Sequence, residues 1–156
     1  MHVPVLDFGD AAFWESWRGV YDAVRFYRGV LERWPDRVAA AVAAVARARP
    51  GGVLVHCQVG RDRTGLVAAL ILSLAGVPAA EIAADYGLSA ERLRPLYDEW
   101  LAGADDPAVR ARLERENVSD PAAMLELLDG LDAEAYLLEG GATAPDVAAI
   151  RARLMD

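Results

Sequence analysis

Cys57 is the sole cysteine of the chain, and an arginine, Arg63, follows it at the sixth position with a threonine directly after. The stretch His56-Cys57-Gln58-Val59-Gly60-Arg61-Asp62-Arg63-Thr64-Gly65 therefore concentrates a thiol, two guanidiniums, a carboxylate and a hydroxyl in one short segment. It is preceded by the β-rich run Val53-Leu54-Val55 and followed by the apolar run Leu66 to Val77, which reads as strand, loop and helix. Such a loop curls its N–H groups inward at the start of a helix and makes a cradle for an anion. A phosphate monoester dianion needs donors on its equatorial oxygens and a nucleophile beneath phosphorus, and both are present here.

Each residue type has a task in that chemistry. Cys57 is the candidate nucleophile, its thiolate favoured by the helix N-terminus and by Arg63. Arg63 offers a planar fork for two phosphoryl oxygens, which a lysine cannot copy. Gly60 lets the backbone turn with no Cβ pointing into the anion. Gln58, Val59, Gly60, Arg61, Asp62 and Arg63 are the residues expected to line the substrate site. Thr64 can place its hydroxyl on the thiolate as that group leaves, and His56 would steady the loop from behind through its ring nitrogens. A lone cysteine after a strand is more often just a small buried apolar residue. What tips the balance is the set of arginine, glycine and threonine at fixed offsets around this one.

The elements that must hold the loop are mostly helical. Val3-Pro4-Val5-Leu6 reads as a short strand ended by a turn over Asp7-Phe8-Gly9-Asp10. From Phe13 to Trp34 the chain is rich in aromatics, and Trp14, Trp17, Tyr21 and Val24 recur at helical spacing. Core packing is the first reading of that stripe, and a wall beside a pocket the second. Asp36 to Arg49 is an alanine-rich helix stopped by Pro50-Gly51-Gly52. A helix from Thr64 to about Ala75 follows the loop, then helices over 79–87, 89–101, 107–116, 120–128, 133–139 and 145–155. Only two strands are credible, Val3–Leu6 and Val53–Val55, too few for a stable sheet of their own.

At 156 residues the chain is read as one domain spanning 1–156. The formal charge is −8, and all 16 basic residues are arginine, so the global field repels polyanions and nucleic acid is not expected as a partner. One cysteine cannot make an internal disulfide or a multi-thiolate zinc site, and a reducing, cytoplasmic setting fits; no metal or other cofactor is expected. Residues 1–7 have no basic segment followed by a long apolar run, so no signal peptide is read there. Leu66 to Val77 spans 12 residues, against the roughly 20 a membrane helix needs, so it reads as a buried core helix.

The ten-residue loop resembles the signature of cysteine-dependent protein tyrosine phosphatases, closest to the bacterial and fungal B-type branch, H-C-x-x-G-K-D-R-T-G. Ile82-Ala83-Ala84-Asp85-Tyr86-Gly87-Leu88-Ser89 is similar to an Asp-Tyr element after the loop helix in that branch. The resemblance implies an α/β fold, a small central sheet flanked by many helices and a helical C-terminal half. It implies hydrolysis through a phosphocysteine, with Cys57 as nucleophile, Arg63 as clamp and Thr64 serving the second step. Arg61 replaces the branch's lysine and keeps the charge, which in the family goes with phosphoinositides as well as phosphotyrosine. The resemblance therefore implies phosphorylated proteins as substrates, at tyrosine or with dual specificity, and leaves phosphoinositides open.

The family's general acid is an aspartate on a loop after an upstream strand. Asp7 matches that description, Asp62 within the loop is the alternative, and Asp10 and Asp36 follow. Trp34-Pro35-Asp36 spells the name of the acid loop of many tyrosine phosphatases, yet here it sits where a helix starts, which fits a capping role. A further N-terminal region of the family's domain, with an Asn-x-x-Asp-x-Gly-Gly-like motif and several strands, has no counterpart in these residues. The chain thus reads as a shortened version whose exposed sheet edge could pair it into a homodimer. Two rival readings are a rhodanese-type sulfurtransferase, against which Arg63-Thr64-Gly65 speaks, and a non-catalytic phosphate-binding module.

Overall fold

Nine helices follow one another among the residues described by the computed structural model, which are 1–18, 23–116 and 120–155, the side chains of residues 115 and 116 excepted. They are α1 (Ala11–Ser16), α2 (Ala23–Arg33), α3 (Pro35–Ala46), α4 (Asp62–Leu74), α5 (Ala79–Ala102), α6 (Pro107–Glu116), α7 (Pro121–Leu128), α8 (Ala133–Glu139) and α9 (Ala144–Met155). Several begin where the sequence places a capping aspartate. Asp10, Asp120 and Asp132 accept from the N–H groups of Phe13 (3.1 Å), Ala122 (2.9 Å) and Ala135 (3.0 Å). Pro35 opens α3 with Asp36 in its first turn, the helix-start role expected of that tripeptide.

The small central sheet expected of the α/β fold is not there: no strand occurs among the described residues. A strand is held by the backbone of a neighbour, and its own side chains cannot supply that. Of the two apolar runs, 3–6 bends at Val5 and Leu6, which are buried in the helical core. Val53–Val55 is thereby left without a partner, and Leu54 is 87% exposed. The sheet edge expected to pair two copies is likewise missing among the described residues.

Other expectations shift less. The helices over 79–87 and 89–101 are a single helix, α5, which runs through Gly87 and Pro95. Gly87 reads as a break, but a Cβ there would lie 2.6 Å from the ring of Pro121 at the start of α7, so the glycine serves close helix packing. In the aromatic segment Trp14 lies on α1 and Val24 on α2, while Tyr21 lies outside the described residues. Phe13 and Trp34 pack tilted at 49° with 4.3 Å between ring centroids inside the core, as the packing reading expects.

The core is centred on α3 and α4, with α8 and α9 against them and α5 and α7 on the far side. Alanines at 39, 41, 43 and 46 of α3 let its neighbours approach closely. The all-arginine composition has a structural use at helix ends. Arg151 donates to the carbonyl of Leu74 at the end of α4 (2.9 Å), and Arg153 gathers the carbonyls of Ala46, Ala48, Arg49 and Gly51 beyond α3. These contacts fix both ends of the segment that carries the loop.

One ion pair ties α3 to α9. Arg47 donates to both oxygens of Asp146 (2.8 Å each), and Thr143 adds its N–H (2.9 Å) and hydroxyl (2.7 Å). The Arg47 fork, with the Thr143 donors, holds the Asp146 carboxyl well below the ordinary carboxylate range. A depressed carboxyl stabilises the fold above its unfolded pKa, near 4, and that contribution fades as pH falls toward the folded value. Asp146→Asn is accordingly expected to lower the thermal midpoint at pH 7 by roughly 2–5 °C. The gap to the native chain should close below pH 4, which a pair of calorimetric series would show.

Candidate active site

The loop lies between the unpaired segment at 53–55 and the first turn of α4, on an open face of the molecule. His56, Gln58 and Gly60 are exposed, while Cys57, Val59, Arg63 and Thr64 are half-covered. Gly60 has a φ of +76°, the left-handed region, and a Cβ there would meet nothing within 4 Å. The turn therefore needs glycine for its backbone, and the space beside it is free. His56 donates from Nδ1 to the carbonyl of Cys57 (3.0 Å), which fixes the peptide bearing the thiol.

Burial works against ionisation of the Cys57 thiol, but four groups outweigh it. The Thr64 hydroxyl, the N–H groups of Thr64 and Gly60, and the charge of Arg63 bring the thiol down to about 7. Thr64 Oγ1 is buried and has no conventional hydrogen-bond partner among the described residues, so the sulfur is the group it has to serve. Arg63 makes no ion pair with a carboxylate among the described residues, and its fork remains available to an anion.

The other charged pair of the loop faces inward. Arg61 is only 8% exposed; its Nε donates to Asp62 Oδ1 (3.2 Å) and Oδ2 (3.3 Å), and its Nη1 to the hydroxyl of Tyr97 (3.2 Å). Burial opposes its charge, yet Asp62 and the tyrosines reverse that and keep it protonated. Asp62 Oδ1 also accepts from Tyr27 (2.6 Å), whose hydroxyl lies 2.8 Å from that of Tyr86. Burial and the Asp62 carboxylate push the Tyr27 phenol far up, so it stays a donor. Behind them Gly65 is required: a Cβ would come within 2.9 Å of the Tyr86 ring.

Of the expected site residues, the structure gathers Cys57, Gly60, Arg61, Asp62, Arg63 and Thr64 around the start of α4. The remaining aspartates are engaged elsewhere. Asp7 pairs with Arg37 (2.5 Å) and accepts from the N–H of Gly9 (2.9 Å), and none of its bonds reaches the loop. Asp10 caps α1 and pairs with Arg33 (2.7 Å), while Asp36 is exposed at the start of α3. Sequence reasoning missed Tyr27 and Tyr97 as partners of the loop. Tyr27 was legible only as part of an aromatic stripe, and nothing local to Tyr97 points to Arg61.

Comparison with known proteins adds the following. A family model described as "Tyrosine phosphatase family" matches residues 14–156. A "Tyrosine-protein phosphatase" of Nostoc commune is 53% identical over 49 residues, which is 31% of this chain and 17% of that protein. The "Triple specificity protein phosphatase PtpB" of Mycobacterium tuberculosis (strain ATCC 25618 / H37Rv) is 38% identical over 79 residues, 46% of this chain and 28% of that protein. The chain thus spans less than a third of the length of these relatives. No solved structure matches it, and among the described residues no helix is long and apolar enough to cross a membrane.

Proposed function

Because the chain belongs to the tyrosine phosphatase family, we propose that it hydrolyses phosphate monoesters, phosphotyrosine first among them, through a phosphocysteine on Cys57. The observation that carries this reading is the thiol itself, set among the Thr64 hydroxyl, two N–H groups and Arg63 and brought to about 7. The thiolate attacks phosphorus while Arg63 holds two non-bridging oxygens, and the bond to the alcohol oxygen breaks. Water then attacks phosphorus, giving its proton to the carboxylate that protonated the leaving oxygen, the S–P bond breaks, and the Thr64 hydroxyl donates to the departing thiolate. Arg61 and Asp62 shape the loop, and His56 holds the Cys57 peptide.

Proton delivery to the leaving oxygen falls to Asp7 or Asp62. Both carboxylates are paired with arginine, Asp7 with Arg37 and Asp62 with Arg61, so either must exchange that partner to carry a proton. An aryl phosphate with a weakly basic leaving group depends least on this step. A thiol that must remain reduced to act favours a reducing, cytoplasmic setting, and phosphorylated proteins or phosphoinositides are the substrates this reading offers.

The test is turnover of p-nitrophenyl phosphate together with iodoacetamide alkylation of Cys57 as a function of pH. Both kcat/KM and the alkylation rate are expected to rise with pH through a midpoint at about 7. Binding of phosphate without turnover between pH 5 and 8 would instead mark a binding module, and an alkylation midpoint near that of an ordinary thiol would remove the basis of the proposal.

A further inference from the structure

Arg61 and Arg63 stand two positions apart in the same loop, yet they meet different surroundings. The Arg61 guanidinium is sealed under α5, its central carbon 5.8 Å from the centroid of the Tyr97 ring and its Nη1 donating to that residue's hydroxyl. Its Nε spans both oxygens of Asp62, and Asp62 is held in turn by Tyr27 of α2. Tyr86 backs Tyr27, and its ring rests on Gly65 one turn into α4. Tyr86 and Tyr97 are eleven residues apart on α5, about three helical turns, so one face of that helix supplies both. Three helices thus meet at the loop, joined by the contacts among Arg61, Asp62, Tyr27, Tyr86 and Tyr97, while His56, Gln58 and Gly60 are exposed.

We propose that Tyr27 and Tyr97 are positioning residues that seat Asp62 and Arg61 behind the loop, leaving Arg63 as the loop cation that faces a ligand and fitting the site to a lone phosphate monoester rather than to a headgroup with adjacent phosphates. A second phosphate on a neighbouring ring carbon needs a second cation a few ångströms from the first. Arg61 could serve only by leaving its pair with Asp62, a tyrosine hydroxyl and a ring face together, three contacts that hold a guanidinium only 8% exposed. The ligand class rests on the phosphatase reading above; the seating of the two side chains does not.

The experiment uses the full chain and reads alkylation of Cys57 by iodoacetamide, which needs no turnover. Protection by phenylphosphonate, carrying one dianion, is compared with protection by an inositol bisphosphate with adjacent phosphates. The expected result is half-protecting concentrations within about threefold of each other, both raised by a similar factor in Arg61→Ala. A bisphosphate that protects more than about tenfold better, with the advantage lost in Arg61→Ala, overturns the ligand class. Tyr27→Phe and Tyr97→Phe, checked for an intact thermal transition, are expected to move the alkylation midpoint upward. Their kcat on p-nitrophenyl phosphate should fall about fivefold each, the worth of one hydrogen bond, at nearly constant KM. An unmoved midpoint in both variants overturns the positioning role. A native chain without turnover, whose midpoint still shifts in the tyrosine variants, defeats the phosphatase reading and leaves the positioning role standing.

Discussion

Cys57→Ser is expected to abolish turnover of an aryl phosphate, by roughly 10⁴-fold or more, while the protein still binds vanadate or inorganic phosphate. The two halves of this result have separate physical causes. The Thr64 hydroxyl, the N–H groups of Gly60 and Thr64 and the Arg63 charge lower a thiol from 9 to about 7. A shift of that size makes a thiolate abundant near neutrality, but it leaves an alcohol un-ionised at any working pH. The same donors are untouched by the substitution, and they are what an oxyanion binds. Single-turnover kinetics beside vanadate titration would resolve the two. A serine variant that retains activity would remove Cys57 from the chemistry altogether, and one that loses anion binding as well would show that the thiol shapes the cradle and does not merely react in it.

The parts of this molecule that the sequence discloses are those whose causes lie close together along the chain. Cys57, Gly60, Arg63 and Thr64 meet within one loop and the turn after it, so their spacing alone states the chemistry. Asp120 marks a helix start because a cap acts on an N–H group two residues ahead. The sheet was the main error. Val53-Leu54-Val55 has the composition of a strand, but composition specifies only a preference, and the backbone partner has to come from elsewhere. The other apolar run spends Val5 and Leu6 on the helical core, and Leu54 is left facing solvent.

Arg61 shows the complementary failure. Arginine is a surface residue by type, and a cation next to a phosphate loop reads naturally as a substrate contact. Its burial is decided by Tyr97, 36 positions onward, and by Asp62, which is itself held by Tyr27, 35 positions back. Tyr27 belongs to a stripe that reads as core, and it is core; its hydroxyl nonetheless reaches the loop. Tertiary contacts of this kind leave no periodicity to find, since one atom at the tip of a packed side chain carries the function.

Arg63→Lys separates charge from shape at the one loop arginine that does not face inward. The guanidinium presents parallel N–H groups to two oxygens at once, and as the phosphoryl group flattens in the transition state both contacts persist. An ammonium meets one oxygen at a time and is more strongly hydrated. The expected loss in kcat/KM on p-nitrophenyl phosphate is about 10³-fold, in the range for removing a preorganised donor pair from a developing charge. The thiol should respond differently, because the Coulombic share of its lowering needs only a positive charge. The alkylation midpoint of Arg63→Lys is thus expected to stay near 7, whereas Arg63→Ala, which removes the charge, should raise it. The combination of a large kinetic loss and an unmoved thiol in the lysine variant would assign the fork to phosphoryl binding. A lysine variant within tenfold of the native rate would mean that charge alone is enough and that the geometry of the fork is not what this loop uses.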